Sequence, residues 1–218
     1  MPGALNRSNF TRYAVSWSYL VAVCIAEIAY ALLSPSARTT VLRWASTSVH
    51  NLQHDPVGCL VASAFVTSGF LLAWPLLIAL ALFGANHALG NWRTAVTCAA
   101  GHIIGTLVSE GIVAYRVSHG ALPPADRFLT DVGMSYVVVS AIAVALLFGG
   151  WLARAAAALD LVLLIVVGQI FAGLSRLQVS AVGHVTALAT GALLGSFFWW
   201  RRRRKARLLF DHASVSAA

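Results

Sequence analysis

The sequence predicts an all-α polytopic membrane protein, a bundle of six transmembrane helices with a long membrane-associated first loop. Three observations predict it. Of the 218 residues, 59% are hydrophobic and only 10% charged, with a mean hydropathy of +0.80; a soluble domain carries roughly 25% charged residues, so a water-soluble enzyme is excluded. The apolar residues gather into six stretches, each near the roughly 20 residues that a helix needs to cross a bilayer. The basic residues, Lys plus Arg 15 against Asp plus Glu 7, lie between and after those stretches. No soluble surface remains to carry a nucleic-acid groove, so no nucleic acid is expected as a partner.

The first span, Tyr13–Leu33, follows Arg7 and Arg12 and contains Glu27. Its length of about 21 residues reads as a retained helix, not as a signal peptide cleaved near Ser34-Pro35-Ser36-Ala37. The linker Ser34–Thr67 mixes Arg38, Arg43, His50, His54 and Asp55 with Trp44 and the apolar run Cys59–Val66. That run is too short to span and reads as interfacial or re-entrant. The remaining spans are Ser68–His87, Ala95–Tyr115, Val132–Gly149, Ala153–Ala172 and Val179–Trp200. The chain thus divides into an N-terminus of residues 1–12, a membrane domain of residues 13–200 and a basic tail of residues 201–218. No internal repeat is visible. Cys24, Cys59 and Cys98 stand singly in apolar runs, which indicates neither a disulfide framework nor a metal site. No cofactor motif is present.

Orientation follows from the basic residues. With the N-terminus in the cytoplasm, that side holds Arg7, Arg12, Arg93, Arg154, Arg201–Arg204, Lys205 and Arg207, and the outside holds Arg38, Arg43, Arg116, Arg127 and Arg176. Ten against five satisfies the positive-inside rule. Both termini are expected in the cytoplasm and the protein in the cell membrane. Trp199 and Trp200 fall in the interfacial aromatic belt, and the basic run after them suits anionic lipid.

Ionisable side chains at membrane depth mark function or helix packing. Here they are Glu27, His102, Glu110, Asp160 and His184. The fourth and sixth spans run in the same direction, so Ser135 and His184, three and five residues into them, both lie roughly 5–8 Å below the outer boundary at 1.5 Å per residue. A serine level with a histidine is the minimum for nucleophilic catalysis, because the imidazole accepts the hydroxyl proton during attack on a carbonyl. Ala187, Gly191 and Gly195 form a small-residue stripe after His184, and such stripes let another helix approach closely. Helix packing alone accounts for the same pattern. A proton-coupled transporter is a third reading of the buried carboxylates and histidines, without a broken helix pair or inverted repeat to support it.

Gly133-Met134-Ser135 opening a fourth span, and His184-Val-Thr-Ala187-Leu-Ala-Thr-Gly191 opening a sixth, resemble the motifs of the rhomboid intramembrane serine proteases. The resemblance extends over about residues 13–200, including the long first loop. It implies a six-span rhomboid-like bundle in which Ser135 is the nucleophile and His184 the general base and acid, without a third acidic member. The implied activity is cleavage of a transmembrane protein substrate near the outer leaflet. The alternative is a rhomboid-like pseudoprotease that binds transmembrane helices as clients without cleaving them.

Two positions depart from the family pattern. The glycine expected after the serine is Tyr136, whose ring is expected to wedge the fourth helix away from the sixth; the competing reading makes its phenol an oxyanion donor. The family's second-span HxxxN, which supplies oxyanion donors, is absent from Ser68-Gly69-Phe70-Leu71-Leu72-Ala73-Trp74-Pro75, while Asn86 and His87 lie at the opposite end of that span. Glu110, near the expected depth of the pair, reads as a packing carboxylate or as an acidic partner for His184. His102 reads as an interhelical hydrogen-bonding residue, and Glu27 and Asp160 have no assigned partner.

Overall fold

The computed structural model describes residues 7–67 and 73–216. Among the described residues ten α-helices follow one another: α1 (Arg7–Arg12), α2 (Ala14–Leu32), α3 (Pro35–Ala45), α4 (Val49–His54), α5 (Pro56–Ser63), α6 (Ala73–Leu89), α7 (Asn91–Ser118), α8 (Met134–Phe148), α9 (Trp151–Val166) and α10 (Val179–Ser216). No strand occurs among the described residues. α2, α7 and residues Val179–Arg204 of α10 are long and apolar enough to cross a membrane, and α6 and α8 are shorter apolar helices. Together with α9 they make the helical membrane bundle that the composition requires. The start of the second span, residues 68–72, lies outside the described residues, as do residues 1–6 and 217–218.

The first loop is helical because three consecutive start signals punctuate it. Ser34 caps α3 with Pro35 in its first turn, Ser48 caps α4, and Asp55 caps α5 with Pro56 behind it. Each cap oxygen accepts a first-turn N–H that has no helical partner, and proline suits the first turn because its missing N–H is not needed there. α5, at 8 residues, is the expected short non-spanning segment. The loop is fastened to the bundle from two sides. His102 on α7 reaches the Leu60 carbonyl at 2.9 Å and Ser63 Oγ at 3.1 Å. The segment leading into α8 is gripped by Thr47 N–H donating to the Asp131 carbonyl, Asp131 N–H donating to Ser46 Oγ, and Gly133 N–H donating to the Ser63 carbonyl.

α8 is the centre of the bundle. Residues 136–145 along it are buried without interruption, as expected of a helix that is apolar all round and enclosed by neighbours. Its closest companion is α10, on which Gly183, Ala187, Gly191 and Gly195 recur every four residues. They meet Tyr136, Ser140, Val144 and Phe148, which recur every four residues on α8. Matched rows four residues apart let the two backbones interlock. A Cβ at Gly191 would lie 2.5 Å from the Ser140 carbonyl oxygen. Gly101 and Gly105 of α7 close the third side, Gly101 against Ser140 and Gly105 against the Gly183 carbonyl and Tyr136.

Two expectations need correction. The fifth span ends at Val166, not Ala172: residues 167–178 turn, with Gln169, Gly173 and Leu177 all at positive φ, and lead the chain back to α10. The sixth helix does not stop at Trp200 but continues through the arginine run. Gly105 lies against Gly183, and α7 continues 13 residues further to Ser118, about 20 Å at 1.5 Å per residue. The start of α8 is therefore recessed well below the end of α7, because its leading segment dives between the first-loop helices.

Candidate active site

Ser135 is the second residue of α8, and His184 lies five residues into α10. The four-residue stripe holds the two parallel helices close enough for His184 Nε2 to stand 2.9 Å from Ser135 Oγ. On the far side of the imidazole, Nδ1 stands 3.2 Å from Ser180 Oγ, one helical turn earlier on α10. For Nε2 to accept the Ser135 hydroxyl proton, Nδ1 must carry the ring hydrogen and donate it to Ser180. His184 is buried and Ser135 half-buried.

Tyr136 does not wedge the helices apart. Its ring lies over Gly183, whose missing side chain leaves the space that a Cβ would fill at 2.1 Å from the phenol oxygen. It then meets the His184 ring edge-to-face, with centroids 4.9 Å apart and planes at 79°, an arrangement that favours aromatic pairs. The phenol is not free to face a substrate either: it donates to Asp131 Oδ2 at 3.0 Å. Asp131 and Tyr136 thus buttress the imidazole from behind.

Glu110 does not pair with His184, whose Nδ1 faces Ser180; it is buried on α7, close enough to Asp131 to feel its charge. His102 ties α7 to α5 and takes no hydrogen bond from Ser135 or His184. Asn86 bonds to Ser16 and Asn91, and His87 to Tyr13, far along α6. Glu27 and Asp160 are buried on α2 and α9 and contribute nothing to these hydrogen bonds. No group of metal-ligating side chains occurs among the described residues. Three neighbours of the pair escaped the sequence reading. Ser180 was signalled by its i−4 spacing from His184, and Gly183 by extending the stripe one step back. Asp131 carried no local signal, since only the tertiary path of its segment brings it to Tyr136.

The rhomboid-like protein family matches residues 10–200, which is most of the chain. The chain belongs to the rhomboid-like protein family. No curated protein and no solved structure matches it. Membership agrees with the observed helical bundle and makes this chain an integral membrane protein in contact with the lipid bilayer.

Asp131 supplies a pH-dependent term in the stability of this rhomboid-like bundle. Burial raises its carboxyl from an ordinary 3.8 to about 6, against the opposing pull of the Tyr136 and Thr47 hydroxyls. Between those values the folded chain holds a proton that the unfolded chain has released. Stability is therefore lost as pH rises through this window and is level above it; the loss is on the order of 3 kcal/mol. Asp131→Asn keeps an acceptor for the Tyr136 phenol and is neutral at every pH. Thermal unfolding in detergent is expected to show the variant several degrees more stable than wild type at pH 7 and equal to it near pH 4. A constant difference across that range contradicts the assignment.

Proposed function

We propose that the protein is an intramembrane serine peptidase that cleaves a transmembrane substrate near the outer leaflet, with Ser135 as nucleophile and His184 as general base and acid. The observation that carries this reading is the 2.9 Å contact between His184 Nε2 and Ser135 Oγ. As Oγ bonds to the peptide carbonyl carbon, its proton passes to Nε2 and the carbonyl electron pair moves onto oxygen. Collapse reforms the carbonyl and breaks the C–N bond, and the imidazolium gives its proton to the departing amine. Water then attacks the acyl-serine with His184 again as base, releasing the acid and restoring the hydroxyl.

The oxyanion has donors despite the missing second-span HxxxN. Gly133 precedes α8 and offers no side-chain cap, so the first-turn N–H groups of Met134 and Ser135 lack helical acceptors and sit at the positive end of the helix dipole. Donors of this kind are each worth about 10²–10³ in rate. A pseudoprotease that holds transmembrane clients is the second reading, favoured by the absence of histidine and asparagine from Ser68–Pro75.

A fluorophosphonate probe separates the two. Its phosphorus bonds to an activated serine oxygen with loss of fluoride. The detergent-purified protein is expected to label, and Ser135→Ala to abolish labelling while leaving thermal stability within about 0.5–1 kcal/mol of wild type. Labelling that persists in Ser135→Ala, or no labelling of folded wild type, favours the client-binding reading.

The proposed orientation places the recess outside and both termini in the cytoplasm, on the ten-to-five division of basic residues. Reporter fusions after Arg207 are expected to report the cytoplasm and those at Ala125 the outside. A C-terminal fusion reporting the outside reverses the leaflet at which cleavage occurs.

A further inference from the structure

At the end of the bundle opposite the Ser135–His184 pair, α10 leaves its small-residue stripe and passes the junction of α6 and α7. There Arg93 of α7 and Arg201, Arg202 and Arg204 of α10 border a cavity of about 280 Å³ that is walled by Trp92, Phe198 and Trp200. No carboxylate contributes to its wall among the described residues. Two of its arginines are anchored to the bundle. Arg202 Nη1 donates to the Ala88 carbonyl at 2.9 Å and Arg93 Nη1 to the Leu89 carbonyl at 3.1 Å. Trp92 packs edge-on against Phe198 with centroids 5.1 Å apart, and the Arg93 and Arg204 guanidinium groups lie over Trp92 and Trp200 at 5.2 and 5.4 Å. Gly90, before α7, provides no side-chain cap, so the positive end of that helix dipole adds to the arginines.

Four arginine residues line this space with no carboxylate among the described residues of its wall to balance them, so an anion is favoured there. Guanidinium presents paired N–H groups that match phosphate oxygens, and the cavity is at the small end of the range for ligand sites, roughly 300–1,000 Å³. The indole rings place it at the level where headgroups meet water. Basic pockets between spanning helices suit lipid headgroups of this charge.

We propose that this cavity binds the phosphodiester headgroup of an anionic phospholipid and so clamps α10 to the α6–α7 junction. The proposal stands whether or not Ser135 acts as a nucleophile. It differs from general attraction of the basic tail to an acidic surface, because Arg203 lies outside the cavity, stacked on Trp199 at 3.5 Å. Arg203→Gln and Arg204→Gln remove the same charge, yet only the second removes a cavity donor.

The test compares thermal unfolding in nanodiscs of phosphatidylcholine alone and of phosphatidylcholine with phosphatidylglycerol. Wild type is expected to unfold several degrees higher with phosphatidylglycerol; Arg203→Gln is expected to keep that gain, and Arg204→Gln to lose at least half of it. Native mass spectrometry of wild type, which depends on no variant, is expected to retain phosphatidylglycerol in preference to phosphatidylcholine. No gain with the anionic lipid, equal loss in Arg203→Gln, or no lipid preference overturns the proposal. So does a full gain produced by inorganic phosphate in phosphatidylcholine nanodiscs, which assigns the cavity to a free anion.

Discussion

Replacing His184 by asparagine is expected to slow fluorophosphonate labelling of Ser135 by about 10²- to 10⁴-fold, the range that a positioned general base supplies. Asparagine can still hydrogen-bond to Ser135 Oγ, but it has no basic nitrogen to take the proton during attack. The loss is therefore chemical and not a matter of placement. Acidification makes the same point in the wild type, because an imidazolium has no lone pair at Nε2; labelling is expected to fall at low pH in wild type and to be flat in His184→Asn. Ser180→Ala removes the acceptor 3.2 Å from Nδ1 and leaves the base in place but less firmly oriented. Its expected cost is about 10-fold, smaller than that of removing the base itself. Equal labelling rates for wild type and His184→Asn would show that Ser135 reacts without a base and that the 2.9 Å contact is structural.

The parts of this molecule that were legible in the sequence are those fixed by local composition. Six apolar stretches become six bundle helices because burial in lipid demands internally satisfied backbone at each. Ser135 and His184 were legible together because two parallel helices carry them near corresponding ends. The path of the segment before α8 was not legible for a tertiary reason: hydrogen bonds with Ser46, Thr47 and Ser63 hold residues 131–133 against the first loop, and nothing in the local pattern at Asp131 announces partners some 70–85 positions earlier. Tyr136 was misread for a similar reason. Its bulk is a wedge only if the facing helix is full, and the relieving residue, Gly183, belongs to another span. The sixth span was drawn to end at the arginines, yet arginine is a good helix former and an unbroken ladder carries α10 past Trp200.

Substituting Gly191 by leucine is expected to damage both the fold and the approach of His184 to Ser135. At this position the neighbouring atoms are backbone: a Cβ would stand 2.5 Å from the Ser140 carbonyl oxygen and 2.8 Å from Ser140 Cα. No rotamer change relieves such a contact, so α10 must move off α8. Overpacking a well-filled core typically costs 1–3 kcal/mol, and displacing a whole helix puts the cost at or above about 3 kcal/mol. His184 lies seven residues back along the same rigid helix, about 10 Å at 1.5 Å per residue, so the displacement carries the imidazole with it. Labelling of Ser135 is then expected to fall by at least about 10²-fold even in the fraction that remains folded, because a misplacement of about 1 Å costs that much. Gly111→Leu on α7 is the matched control: no atom lies within 4 Å of a Cβ there, and both stability and labelling are expected to stay close to wild type. If Gly191→Leu folds and labels like Gly111→Leu, the spacing of α8 and α10 does not determine the approach of His184 to Ser135, and the small-residue stripe has no part in forming the site.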